Sequence, residues 1–288
     1  CSFCSVRLFN GTKVRRRGAV AVADELERLH DEHGIRHITW LDDDLLFSEA
    51  KTIETLEEIT SRKLDLTWDA TNGLIAAAIT PRLLDAMVES GCIGFNLGIE
   101  SGTPEILRKI HKPGTVDSFL KTRDLLLKYP HLYVKSFLII GFPRETFGQI
   151  MNTVNLAVDL AFDWSPMQNL NPMPATEIYT SMVEEGLIAA PNRQGLGWMA
   201  GPFSSLNQKS KEEIGKDSDE EYINWFERCD MNAVPTREQL TDLWFIVDYK
   251  INYEPILTMT DAHKLRKKAV ILKDIADRIS QENPLANY

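Results

Sequence analysis

Cys1-Ser2-Phe3-Cys4 sets two thiols three positions apart, with an aromatic residue directly before the second. As thiolates such a pair can ligate an iron–sulfur cluster, whose cysteine ligands sit close together in one loop. As a dithiol it can instead serve redox exchange. Carboxylates recur further on, in Asp42-Asp43-Asp44 and in Glu100-Ser101. Adjacent carboxylates repel and need cations, donors or solvent. The aspartate run can cap a helix or capture an ammonium group. It can also bind Mg²⁺, but that use accompanies phosphate substrates, and no G-x-x-x-x-G-K-[ST] cradle occurs. Glu100 closes an apolar run and needs a partner there. With Ser101 it can bind ribose hydroxyls or the polar end of an amino acid; Ser101 alone can cap a helix. Gly141-Phe142-Pro143 lets a flat ligand approach the backbone, with Ile139 or Ile140 beside it, or is simply a tight turn. Arg144 and Glu145 read as helix-start charges. The six histidines form no metal set, and His111 alone is kept as a site candidate.

Elements that place these groups follow from the hydrophobic period. Ala19 to His33 has a helical stripe of Val20, Val22, Ala23, Leu26 and Leu29, and Gly34 ends it. His37 to Leu41 reads as a buried strand. Helices are predicted over Ser48–Arg62, Pro81–Ser90, from Thr103-Pro104-Glu105 onward, Val116–Lys128 and Phe147–Phe162. Strands are predicted at Leu66–Ala70, Cys92–Ile99, Tyr133–Ile140 and Gln168–Leu170. Strands alternating with helices of this length make β-α-β units and a parallel sheet. The expected class is α/β, a partial six-fold barrel whose first strand precedes Cys1; an open doubly wound sheet also fits the pattern. Residues 1–180 form the barrel. Residues 181–288 are a loop, polar and glycine-rich over 190–218, and then helices over Asp219–Asp230, Thr236–Tyr253 and Thr260–Gln281.

Chemistry in parallel α/β folds gathers at the carboxyl ends of the strands. Asp42-Asp43-Asp44, Thr71-Asn72-Gly73, Glu100-Ser101-Gly102, Gly141 to Glu145 and Asn169 to Thr176 would all lie there, beside the cysteine loop. The net charge of −10 argues against a nucleic-acid surface, and Arg15-Arg16-Arg17 is the only basic run. No apolar stretch approaches the ~20 residues that span a bilayer, so no membrane partner is expected. Four cysteines are few for a disulfide scaffold. Cys92 and Cys229 read as structural, and a reducing, cytoplasmic setting is expected.

Together these segments resemble the radical S-adenosylmethionine (radical SAM) superfamily, in particular the subgroup that carries an N-terminal cobalamin-binding domain. Cys1-Ser2-Phe3-Cys4 is similar to the end of C-x-x-x-C-x-aromatic-C. Gly98-Ile99-Glu100-Ser101-Gly102 and Gly141-Phe142-Pro143-Arg144-Glu145-Thr146 resemble its G-[IV]-E-S and G-[LF]-P-x-E-T segments. Pro172-Met173-Pro174-Ala175-Thr176 resembles P-x-P-G-T, with Ala175 replacing glycine. The resemblance covers about residues 1–180 and implies a truncated radical SAM-type barrel.

It also implies roles. Cys1 and Cys4 would ligate a [4Fe–4S] cluster, whose third cysteine would lie upstream. Phe3 would lie against adenine, on a shelf formed by Ile139 and Gly141. An aspartate among Asp42, Asp43 and Asp44 would bind the methionine ammonium, and Glu100 and Ser101 the ribose or the methionine carboxylate. Asn72 joins them as a cofactor-binding candidate. The implied reaction is reductive cleavage of S-adenosylmethionine to a 5′-deoxyadenosyl radical acting on a small-molecule substrate. Cobalamin-dependent methyl transfer is one form of it, with flavodoxin or ferredoxin as electron donor. The alternatives are a methylthiotransferase-like enzyme of the same superfamily, a dithiol redox protein and a non-catalytic binding barrel.

Overall fold

A computed structural model describes residues 1–188 and 229–282. Five parallel strands form one sheet in the order β1 (His37–Trp40), β2 (Thr67–Leu74), β3 (Cys92–Glu100), β4 (Tyr133–Ile140) and β5 (Met167–Asn169). Each is reached through at least one helix. A short helix α1 (Val6–Asn10) follows the cysteine loop, and α2 (Ala19–His33) leads into β1. Then come α3 (Glu49–Ser61), α4 (Pro81–Glu89), α5 (Pro104–Lys109), α6 (Val116–Leu126), α7 (Phe147–Leu160) and α8 (Glu177–Glu184). The C-terminal part comprises α9 (Arg237–Asn252), α10 (Glu254–Thr258) and α11 (Ala262–Glu282). The α/β class, the partial barrel and its helical continuation are thus as the pattern indicated.

Local chemistry explains the boundaries. Gly34 ends α2 with a φ of 67° and donates its N–H to His30 O. Pro81 opens α4, where the Thr80 hydroxyl accepts the Leu83 N–H. Thr115 with Ser118, Thr146 with Gln149 and Thr236 with Gln239 form reciprocal capping boxes on α6, α7 and α9. One β4 face is buried through Val134, Ser136, Leu138 and Ile140, while Tyr133, Lys135, Phe137 and Ile139 are half-buried on the other. Trp68, Leu83, Leu84, Met87, Leu97, Leu138, Ile140 and Val154 belong to the core between sheet and helices.

Several expectations change. β2 runs on to Leu74, so Thr71-Asn72-Gly73 lies within a strand and not in a loop after one. The register shifts between Ala70 and Leu74, which gives those residues the irregular backbone of a bulge. Helices α1, α8 and α10 are additional, being too short for a clear apolar period. The loop read over 190–218 lies outside the described residues, as do residues 219–228 of the helix expected at Asp219–Asp230.

The end of the sheet at β5 is fastened by a helix. Asn252 on α9 donates Nδ2 to Ser165 O at 3.0 Å and accepts the Ser165 N–H through Oδ1 at 2.8 Å. One turn earlier Asp248 accepts the Met167 N–H. A further turn back, Trp244 Nε1 donates to Met167 O. Residues four apart share one helix face, so three side chains stand in for a neighbouring strand on this edge. On the same helix Leu243, Val247 and Ile251 join the core beneath the sheet.

Candidate functional site

The cysteine loop is held by its middle. Ser2 donates its N–H to Ile110 O at 2.9 Å, and its carbonyl accepts the Ile178 N–H at 3.0 Å. The Cys4 N–H reaches Cys1 O at 3.2 Å, so both cysteines lie on one turn. Both thiols are free and exposed. They suit iron–sulfur ligation chemically, as accessible sulfur donors from one short loop. Among the described residues no set of three or more His, Cys, Asp or Glu side chains gathers closely enough to hold a metal ion, so the thiol pair is a partial ligand set. Cys92 differs: it is buried, and desolvation pushes its thiol up to about 12. It is the structural cysteine expected.

Phe3 points the other way. Its ring lies 6.3 Å from that of Phe142, tilted by 56°. Phe3 and Ile139 both pack on a small cluster of Ile106, Ile110, Phe142, Leu170, Ile178 and Met182. This brings the aromatic of the cysteine loop together with the end of β4. Gly141 follows at a φ of 85°, where a Cβ would come within 3.1 Å of Leu240 on α9. The turn is held from below by Glu145, whose Oε2 accepts the N–H groups of Gly141 (2.7 Å) and Phe142 (3.1 Å). Burial pushes the Glu145 carboxyl up to about 8, against those two donors, which lower it. Arg144 points outward to Glu185. The two helix-start charges therefore do different jobs, one inside and one out.

Glu100 ends β3 at a φ of 67°, past a register shift between Gly98 and Glu100. Its carboxylate is buried and accepts from Lys112 Nζ at 2.9 Å. This is the partner its burial demanded, and sequence reading missed it; a lysine just past a helix end carries no distinguishing signal. Ser101 is fully buried. Its hydroxyl accepts the Thr103 N–H at 3.1 Å and lies 3.3 Å from Thr153 Oγ1 on α7. It braces the turn after β3 from behind and does not reach the rim surface beside Glu100.

The aspartates separate. Asp43 accepts from Asn10 on α1, which ties the β1 rim to the cysteine loop. Asp44 is half-buried, and desolvation raises its carboxyl while the Leu46 N–H pulls it down. Asp42 lines a cavity of about 440 Å³ between α2, α3 and β1, together with Arg15, Arg16, Arg17 and Trp40. Asn72 donates to Leu41 O at 2.8 Å, which locks the β2 bulge to the aspartate segment. His111 is exposed, 3.6 Å from Glu177. The rim segments therefore converge: Asn72 on Leu41, Asn10 on Asp43, Ser2 on Ile110, Lys112 on Glu100 and Phe3 on Phe142.

Comparison with known proteins gives the family and the fold. The Radical SAM superfamily profile matches residues 1–157. An uncharacterized methyltransferase of Pyrococcus horikoshii is 29% identical over 79% of this chain and 49% of its own length. The cytidylyl-2-hydroxyethylphosphonate methyltransferase of Streptomyces wedmorensis is 28% identical over 65% of this chain and 36% of its own. Among solved structures, the radical S-adenosylmethionine methyltransferase TsrM of Kitasatospora setae, with cobalamin and a [4Fe–4S] cluster bound, superposes with a TM-score of 0.54. It is 21% identical and covers 61% of this chain and 33% of its own, a likeness of fold. The chain spans about half the length of the first relative and about a third of the others.

Proposed function

We infer, from the premise that this chain belongs to the radical SAM superfamily, that it is the barrel of an enzyme binding S-adenosylmethionine beside an iron–sulfur cluster, for methyl transfer to a small molecule. The observation that supports the reading is the meeting of the cysteine loop with the strand-end segments, Ser2 on Ile110 and Phe3 on Phe142, with Ile139 against the same apolar cluster. Both methyltransferase relatives support the reaction class.

Cys1 and Cys4 would be two of the cluster's ligands. When bound, a [4Fe–4S] cluster supplies the single electron that opens a carbon–sulfur bond of the sulfonium, and cobalamin supplies a methyl carrier. The rest falls to side chains. Phe3 and Ile139 offer apolar faces to adenine, beside the Gly141 turn that Glu145 holds. Glu100 accepts from ribose hydroxyls. Asp44, whose half-buried carboxylate favours a nearby cation, receives the methionine ammonium, and Asn72 keeps that segment in register. Ser101 supports Glu100 through the turn.

Flavodoxin or ferredoxin would deliver the electron. The acidic balance disfavours RNA as substrate, and the free thiols suit a reducing cytoplasm. Among the described residues no helix is long and apolar enough to cross a membrane. We place the boundary between barrel and C-terminal region near residue 180.

The test uses the full-length protein, reconstituted anaerobically with iron and sulfide, then reduced and given S-adenosylmethionine. Visible cluster absorption, with release of 5′-deoxyadenosine or S-adenosylhomocysteine, is expected. Absence of both products overturns the reading.

A further inference from the structure

Charge is unevenly spread along this chain. Residues 1–23 contain Arg7, Lys13, Arg15, Arg16 and Arg17 and no aspartate or glutamate. The chain carries −10, so the residues after 23 carry −15. Every residue from 7 to 18 is exposed, and Leu8 (52%), Phe9 (79%) and Val14 (57%) stand among the cations. Arg16 donates to Thr52 Oγ1 at 3.2 Å and Arg17 pairs with Glu25. The side chains of Arg7, Lys13 and Arg15 have no hydrogen-bond or ion-pair partner among the described residues. Arg7 follows Cys4 within one short helix, directly after the exposed thiols. Asn10 binds Asp43, so the strip passes the β1 rim, and it ends where Arg15, Arg16 and Arg17 line the cavity beside Asp42. A merely solvated charge run needs no apolar neighbours. This one mixes cations with exposed apolar side chains and lacks acids, the composition of a contact surface for an anionic partner.

We propose that residues 7–17 are the docking surface for an acidic one-electron carrier protein. This rests on the reading above, in which a cluster at Cys1 and Cys4 needs an electron delivered by another protein. The reduced carrier loses one electron and the cluster gains it; no bond forms or breaks. The rest of the chain, at −15, repels an acidic carrier while the strip attracts it, so the field steers the carrier to the side where the thiols lie. Leu8 and Phe9 supply apolar contact once it arrives.

The experiment uses the full-length, cluster-reconstituted protein. Calorimetry measures its affinity for oxidised flavodoxin and for oxidised ferredoxin. Cluster bleaching is followed with each reduced carrier and with photoreduced deazariboflavin, a small uncharged donor. In the triple variant Arg7→Glu, Lys13→Glu, Arg15→Glu, carrier affinity and carrier-driven bleaching should fall by about tenfold or more, with deazariboflavin-driven bleaching unchanged. Wild-type affinity should drop as salt rises from about 0.02 M to about 0.5 M, and the variant's should not. A loss seen with one carrier supports the proposal and names that carrier. Unchanged carrier affinity overturns it, as does an equal loss of rate with deazariboflavin. If the charge-reversed chain does not fold, the neutral set Arg7→Gln, Lys13→Gln, Arg15→Gln decides: carrier affinity should fall by roughly threefold or more, and no fall overturns the proposal. A wild type that assembles no cluster overturns the underlying reading and this proposal together. A cluster that bleaches with deazariboflavin in a protein that binds neither carrier overturns the proposal alone.

Discussion

Glu145 holds the turn at Gly141 from a site where it is 1% exposed. Its carboxyl titrates at about 8 in the folded chain, against an ordinary 4.5. Below 4.5 both folded and unfolded forms carry the proton. Between 4.5 and 8 the unfolded form releases it and the folded form retains it, so stability falls as pH rises through that window and levels off above it. At roughly 1.4 kcal/mol per unit, the effect is on the order of a few kcal/mol. Glu145→Gln keeps an acceptor for the two backbone N–H groups and removes the slope. Urea midpoints at about pH 5 and about pH 8 should differ more for wild type than for this variant; equal differences would count against the assignment. Glu100→Ala should weaken S-adenosylmethionine binding by roughly tenfold or more, the scale of a charge-assisted hydrogen bond. Its thermal midpoint should show that the barrel still folds. Glu100 and the Gly141 turn stood out in the sequence because each closes an apolar strand. Lys112 did not, because a lysine declares its role only through the carboxylate it meets in space. Ser101 misled for a related reason: a hydroxyl at a strand end can face the ligand or the next helix, and Thr153 decides which.

At the scale of elements, α7 is seated against the turn after β3. A Cβ at Gly102 would stand 2.3 Å from Asn152 O and 2.8 Å from Thr153 Cα, both on α7 backbone. Gly102→Ala should therefore cost about 2 kcal/mol or more by pushing that helix away, and chemical denaturation measures it. Asn252 is 1% exposed and makes two bonds to Ser165. Asn252→Leu strands a buried N–H and a buried C=O, for roughly 2–4 kcal/mol, read as a lower urea midpoint with an unchanged slope. Helix and strand alternation came through clearly from Ala19 to Leu170, since long amphipathic stripes and apolar runs carry their own period. The extension of β2 to Leu74 did not, because its bulge breaks the alternation that would have announced it. α8 escaped notice as well: with eight residues it offers two turns, too few for a stripe to emerge.

In the molecule as a whole, barrel and C-terminal helices share one interior, with Leu240, Leu243, Val247 and Ile251 in the same core as β3 and β4. A chain ending at residue 188 should lose cooperative thermal unfolding and aggregate; a sharp melt of that fragment would show that the helices are dispensable. A boundary near 180 was drawn from a change of composition, and composition does not report which surface a later helix will cover. Hydrogen bonds between main chains survive almost any exchange of residue, proline apart. The hold of α9 on Ser165 and Met167 is made by an indole, a carboxylate and an amide. That seam is consequently where ordinary point changes at 244, 248 and 252 can tune how firmly the wall closes, while the ladders between β1 and β4 stay indifferent to which residues they join.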